Sequence, residues 1–158
     1  MPSIYDAIKA DHDNHRDLLE KIANTTGDSA ERQEHWNAFY RDVKSHAAAE
    51  EETFYSKLIS ETWGQDAARH SVHEHQQLDD LMEELNDADM SSSGWLNRFK
   101  TLQHDYNHHM EEEENEVFER ARKVIGEEQN DGFGKRFEER KQEELGLIEA
   151  KKEDSLED

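Results

Sequence analysis

The sequence predicts an all-α protein: an antiparallel up-down-up-down four-helix bundle with an additional C-terminal helix. Three observations carry this. There is one Pro, at position 2, and only seven Gly in 158 residues, so little interrupts helix formation. Apolar residues recur three or four apart through four successive segments. No stretch alternates with period two, which argues against strands.

The breakers lie at Thr26-Gly27-Asp28-Ser29, Trp63-Gly64, Ser91-Ser92-Ser93-Gly94, Gly126 and Asp131-Gly132-Phe133-Gly134. The first helix presents Ile4, Ile8, Leu19 and Ile22, and the second Trp36, Phe39, Val43, Phe54 and Leu58. The third carries Val72, Leu78, Met82 and Leu85, and the fourth Trp95, Phe99, Leu102, Tyr106, Val117 and Val124. Ser29 and Ser92 are suited to cap the second and fourth helices. Short connections make consecutive helices antiparallel neighbours. Residues 135–152 predict a fifth, highly charged helix with a thin stripe of Phe137, Leu145 and Ile148, suited to pack on the outside of the bundle or against another chain. The last half-dozen residues are expected to be disordered. The division expected is a bundle over residues 1–125 and a charged helix and tail over 126–158.

Composition limits the function. With 40 Asp and Glu against 19 Lys and Arg the formal charge is −21, which excludes a nucleic-acid partner bound by a basic surface. The absence of Cys excludes disulfides, iron-sulfur clusters and thiolate zinc sites. Ten His and the carboxylates then remain as the strong metal ligands. No run approaches membrane-spanning length and the N-terminus lacks a secretory pattern, so a soluble, cytoplasmic protein is expected, as monomer or homodimer with the C-terminal helix as a possible contact.

Shifting the chain by 63 residues superimposes His12 on His75, His46 on His109 and Glu50 on Glu113, along with Asp42 on Asp105 and Glu51 on Glu114. The halves are therefore helical hairpins of one design, able to pack about an approximate two-fold axis. These six residues also interrupt apolar series. The second helix runs Trp36, Phe39, Val43, His46, Glu50, Phe54, and the fourth Phe99, Leu102, Tyr106, His109, Glu113, Val117. An ionised Glu left unpaired in such a core costs several kcal/mol. A metal removes that cost, because His at i and Glu at i+4 project from one helical face. Six ligands exceed the needs of one tetrahedral ion and suit two ions bridged by the carboxylates. Imidazole with carboxylate favours Fe, Mn or Zn, and coordination positions remain for a small ligand.

The pattern His12, His46-x-x-x-Glu50, His75, His109-x-x-x-Glu113 resembles the hemerythrin-like HHE cation-binding domain. So do the flanks Lys9-Ala10-Asp11-His12, Glu74-His75 and Glu113-Glu114-Asn115-Glu116-Val117-Phe118. The resemblance covers roughly residues 3–125. It implies two non-heme Fe ions, Mn or Zn being the alternatives, with Glu50 and Glu113 bridging and His12, His46, His75 and His109 as terminal ligands. It also implies binding or reduction of oxygen, peroxide or nitric oxide in a stress response, with possible oxidase or peroxidase-type turnover. The alternative is an iron- or oxygen-sensing module without turnover. Oxygen-carrying members have a fifth His, and the corresponding positions here are Ser71 and Asp79, which argues against reversible oxygen carriage.

Other residues carry weaker expectations. His15 shares a face with His12, but its repeat partner is Leu78, which favours a core or rim place over a ligand. Tyr106, one turn before His109, either fills the core or donates a hydrogen bond to a ligand at the metals. Asp79 is placed to orient His75 or to face solvent, and Glu111, Glu112 and Glu114 are expected to be mostly solvated.

Overall fold

The computed structural model describes residues 3–27, 29–60, 65–123, 125 and 127–157. The expected breaks at Trp63-Gly64 and Gly126, and the apolar position Val124, lie outside them. Helices α1 (Ile4–Ala23), α2 (Ala30–Ala49), α3 (Gln65–Asp87) and α4 (Ser93–Glu112) form a four-helix bundle, and α5 (Glu127–Glu157) lies across it. Each bundle helix packs on its chain neighbour, α1 also meets α4, and α5 rests on α1 and α2.

Local chemistry accounts for the helix ends. Ser3, Ser29 and Ser92 hold extended backbone, and their hydroxyls accept from the amides of Asp6, Arg32 and Trp95. The caps at Ser29 and Ser92 follow the sequence expectation, and Ser3 adds a third. Beyond Ala49 the second helix widens into a π-helical turn, Glu50–Tyr55, before ending over Ser56–Ile59. The fourth does the same at Glu113–Val117 and ends over Phe118–Arg122. Each π turn opens on the Glu that interrupts the apolar series. It displaces the inward face by about one residue, so that Phe54 with Tyr55, and Val117 with Phe118, are buried together.

The core falls into two apolar clusters. One gathers Trp36, Phe39, Trp95 and Phe99 with residues of α1 and α3, and Trp95 stacks on Phe99 at 5.5 Å between centroids. At that end the buried Arg32 guanidinium donates to the Thr25 hydroxyl and to the carbonyls of Thr25 and Met90, tying two loops together. The other cluster holds Ile4, Ile8, Phe54, Tyr55 and Phe118, together with Phe133 and Phe137 of α5.

Helix α5 departs from expectation at both ends. It starts eight residues before position 135 and runs through the Asp131–Gly134 segment expected to break it, then continues to Glu157 where a disordered tail was expected. A helical Gly costs about 1 kcal/mol relative to Ala. Full burial of a Phe contributes about 1.5–3 kcal/mol, so Phe133 and Phe137 outweigh two glycines. Among the described residues no helix is long and apolar enough to cross a membrane.

Candidate metal centre

Between the two apolar clusters lies a polar layer. His12, His46, Glu50 and Glu113 form one group of converging donor atoms, and Glu50, His75, His109 and Glu113 another, with the atoms of each group within 4.8 Å of one another. The two carboxylates are common to both groups. All six residues are buried, with Glu50 and Glu113 fully inaccessible. The structure thus brings together at one point the six residues singled out by spacing and repeat.

Each imidazole directs Nε2 inward. His12 Nε2 is 3.2 Å from Glu113, His46 Nε2 3.1 Å from Glu50, and the Nε2 atoms of His75 and His109 are 3.1 Å apart. Yet His12 Nε2, His46 Nε2 and all four oxygens of Glu50 and Glu113 are buried without a hydrogen bond. Unsatisfied buried donors and acceptors cost about 1–3 kcal/mol each, more when charged, so their gathering at one point demands a compensating group. A cation is that group, because every orphaned atom has or can expose a lone pair. The donor set fits the metal ions that imidazole and carboxylate hold together.

The outward nitrogens are all occupied. His12 Nδ1 meets Glu114 at 3.1 Å, His46 Nδ1 meets Asp11 at 2.7 Å, His75 Nδ1 meets Glu51 at 3.1 Å and His109 Nδ1 meets Glu74 at 3.0 Å. A carboxylate behind each imidazole fixes its tautomer with Nδ1 as donor, leaving Nε2 for the centre. The arrangement obeys the 63-residue repeat. His46 and His109 use the acid preceding the first His of their own half, whereas His12 and His75 use the acid following the Glu of the other half. Glu114 also accepts from Arg16, and Asp11 from Lys141 Nζ at 2.9 Å.

These carboxylates correct one expectation: Glu114 is not a solvated residue of an acidic run. Of the two places open to Asp79, the solvent-facing one is occupied, and it does not orient His75. Asp79 pairs with Lys44, while Glu51 holds His75. Glu112 faces His70 and His108. The signal that was available was the acid next to His12 and Glu50 in the first half and next to His75 and Glu113 in the second. Which acid meets which imidazole depends on helix approach, which spacing does not contain.

Charge balance within the layer reinforces the need for a cation. Burial and the neighbouring Glu50 charge push the Glu113 carboxyl well above the usual range. Glu50 is held well below it, because the charge of the neighbouring His46 and the other imidazoles around it outweighs burial. Burial opposes a charge on His12, yet Glu113 and Glu114 outweigh it and raise that imidazole to about 10. Without metal, protons therefore do the neutralising. A divalent ion would take their place, so binding should release protons.

His15 and Tyr106 occupy the layer's edge. Burial holds His15 down at about 4, hence neutral, and its Nε2–H donates to Asp42 at 2.6 Å while Nδ1 accepts from the Tyr106 hydroxyl at 2.7 Å. Both ring nitrogens of His15 are therefore engaged away from the two donor groups, and so is the Tyr106 hydroxyl. Asp42 completes the chain by accepting from Lys141 at 2.9 Å. Ser71 is buried, and His104 and His108 are exposed. A cavity of about 380 Å³ between α2 and α3, lined by His46, His75, Tyr106, Val43, Val72 and Met82 among others, reaches the layer from outside.

Comparison with known proteins decides the family. The description "Hemerythrin HHE cation binding domain" matches residues 3–121. The chain belongs to the hemerythrin HHE cation-binding domain family. A solved structure of an HHE cation binding domain-containing protein from Mycobacterium kansasii superimposes with a TM-score of 0.86, covering 96% of this chain and 92% of that one at 20% identity, and so shares the fold. A protein of Nostoc sp. described as a DNA nickase is 26% identical over 135 residues, 85% of this chain. The chain spans only 38% of the nickase's length. As an HHE domain this chain binds metal cations, and its buried His and Glu groups are the donor sets available for them.

Proposed function

We propose that this HHE domain holds two iron ions, with His12 and His46 serving one, His75 and His109 the other, and Glu50 and Glu113 bridging both. The observation that supports this reading best is the convergence of six buried donors, of which His12, His46, Glu50 and Glu113 leave their inward atoms without hydrogen bonds, while every outward imidazole nitrogen has one. When bound, iron would supply electrons and open coordination positions to oxygen, peroxide or nitric oxide. The chain's own part is to hold the imidazoles in one tautomer, keep the layer dry between two apolar clusters, and admit a small molecule through the α2/α3 cavity. That cavity has the volume of about a dozen waters, ample for peroxide or a diatomic. A charge of −21 opposes the approach of a phosphate backbone.

The test is the metal content and visible spectrum of aerobically purified protein, followed by mixing of the reduced form with oxygen or peroxide. Close to two iron ions per chain, falling in His46→Ala and Glu113→Ala, is the expected result. Fewer than about one tightly held ion per chain would overturn the reading.

A second reading, a sensing module without turnover, draws on α5. The Phe137 ring packs edge-on against His46 at 5.4 Å between centroids, and Lys141 grips the carboxylate behind that imidazole. A change of charge at the centre would be felt at α5 through these contacts. Absence of peroxide or oxygen turnover, with protease protection of α5 that follows metal occupancy, would favour this reading.

A further inference from the structure

The two halves treat the outer side of the centre differently. In the first half Asp11, behind His46, receives the Lys141 ammonium, and the small residues Ala7 and Ala49 leave room for α5, being buried in one cluster with Phe133 and Phe137. The repeat places His70 where Ala7 stands, Glu74 where Asp11 stands, Glu112 where Ala49 stands and His108 where Ser45 stands. Where the first half has an ammonium over small side chains, the second has imidazoles and carboxylates. His70 Nε2 lies 2.9 Å from Glu112 and 3.5 Å from Glu74, with donor atoms of all three within 4.8 Å, and His108 Nε2 lies 3.4 Å from the other Glu112 oxygen. His70 and His108 are solvent-exposed, and Glu74 and Glu112 partly so.

We propose that His70, Glu74 and Glu112 form an outer site for a divalent transition-metal ion, which supplies the buried centre. The donor set, one imidazole and two carboxylates with room for water, selects first-row transition ions over Mg or Ca. The position fits a relay, because the same Glu74 oxygen, Oε1, faces both His70 of the outer site and Nδ1 of His109, at 3.5 and 3.0 Å. An ion at this face is thus one side chain away from the inner donors. The acidic surface raises the local cation concentration around it. Lys141 fills the related position of the first half with a fixed positive charge, which leaves the α3/α4 face as the one where an exchangeable cation is accommodated.

The supply role rests on the two-ion reading, whereas outer binding does not, and the experiment separates them. Equilibrium dialysis of the full chain, carrying whatever metal it retains on purification, against excess Co(II) should show one further ion per chain, weaker than any buried one. His70→Ala and Glu112→Gln should abolish it, with His104→Ala as a surface control that keeps it. Helix content by circular dichroism should be unchanged, since His70 is more than half exposed. Anaerobic loading of the metal-free chain with Fe(II) should be several-fold slower in both variants, reaching the same final occupancy. No further Co(II), or uptake unchanged in both variants, overturns the outer site, and equal loading rates overturn the supply role. A chain whose buried residues held no metal would still take up the outer Co(II), so failure of the two-ion reading is recognised separately.

Discussion

Lys141 offers the sharpest test of how α5 is held. Its ammonium, 9% exposed, donates at 2.9 Å to both Asp11 and Asp42, which are 14% and 22% exposed. At an effective dielectric near 20, each contact carries about 6 kcal/mol of Coulomb attraction. Desolvating the ammonium and two carboxylates consumes most of it, as usual for buried pairs. Lys141→Met keeps much of the packed stem, removes the charge and leaves two half-buried carboxylates facing each other. Breaking one side of a buried pair costs about 3–5 kcal/mol, and partial exposure of the acids reduces this to about 2–3 kcal/mol. Urea unfolding of the metal-free chain measures it as a lower midpoint at unchanged slope. In a cycle with Asp42→Asn the two losses should be non-additive by about 1–2 kcal/mol. A loss below about 0.5 kcal/mol, or strict additivity, would refute the view that this lysine joins α5 to α1 and α2. Arg140, paired with Glu52 on the surface, is the contrast, and Arg140→Ala should leave the urea midpoint close to that of the parent.

Other outcomes follow from the same geometry. Glu51→Ala and Glu114→Ala, related by the repeat, should each weaken metal retention about 10–100-fold in chelator competition, while Asp79→Ala should leave it unaltered. Tyr106→Phe removes the donor to His15 Nδ1 and should cost about 1–2 kcal/mol of stability with metal content unchanged. Asp42→Asn should be destabilising by about 1.5–3 kcal/mol at pH 7. Burial pushes the Asp42 carboxyl up, but its bond to His15 and the Lys141 charge more than reverse this and hold it below its ordinary value of about 3.9. Its contribution is therefore complete above that value and fades as pH falls below it, so the gap between Asp42→Asn and parent in urea melts should narrow below about pH 4.

The sequence by itself determined the bundle and the residues that interrupt its core. Helical faces repeat every three to four residues, so a His or Glu at an inward position is visible as a break in an apolar series. The 63-residue repeat then separates His12, His46, His75 and His109 from the other six imidazoles. Only the tertiary structure decided what stands behind those residues. Glu114 reaches His12 across 102 positions, and Glu51 reaches His75 across 24, because the helices meet in one axial register and a π turn opens at each Glu. Local periodicity says which way a side chain faces but not how far a neighbouring helix has slid or turned. For that reason spacing alone leaves Asp79 either behind His75 or in solvent and does not single out Glu51. The fifth helix shows the same division. Gly132 and Gly134 argue for a break when read locally, and the burial of Phe133 and Phe137 against the bundle overrides them, placing Lys141 where it can bind Asp11 and Asp42.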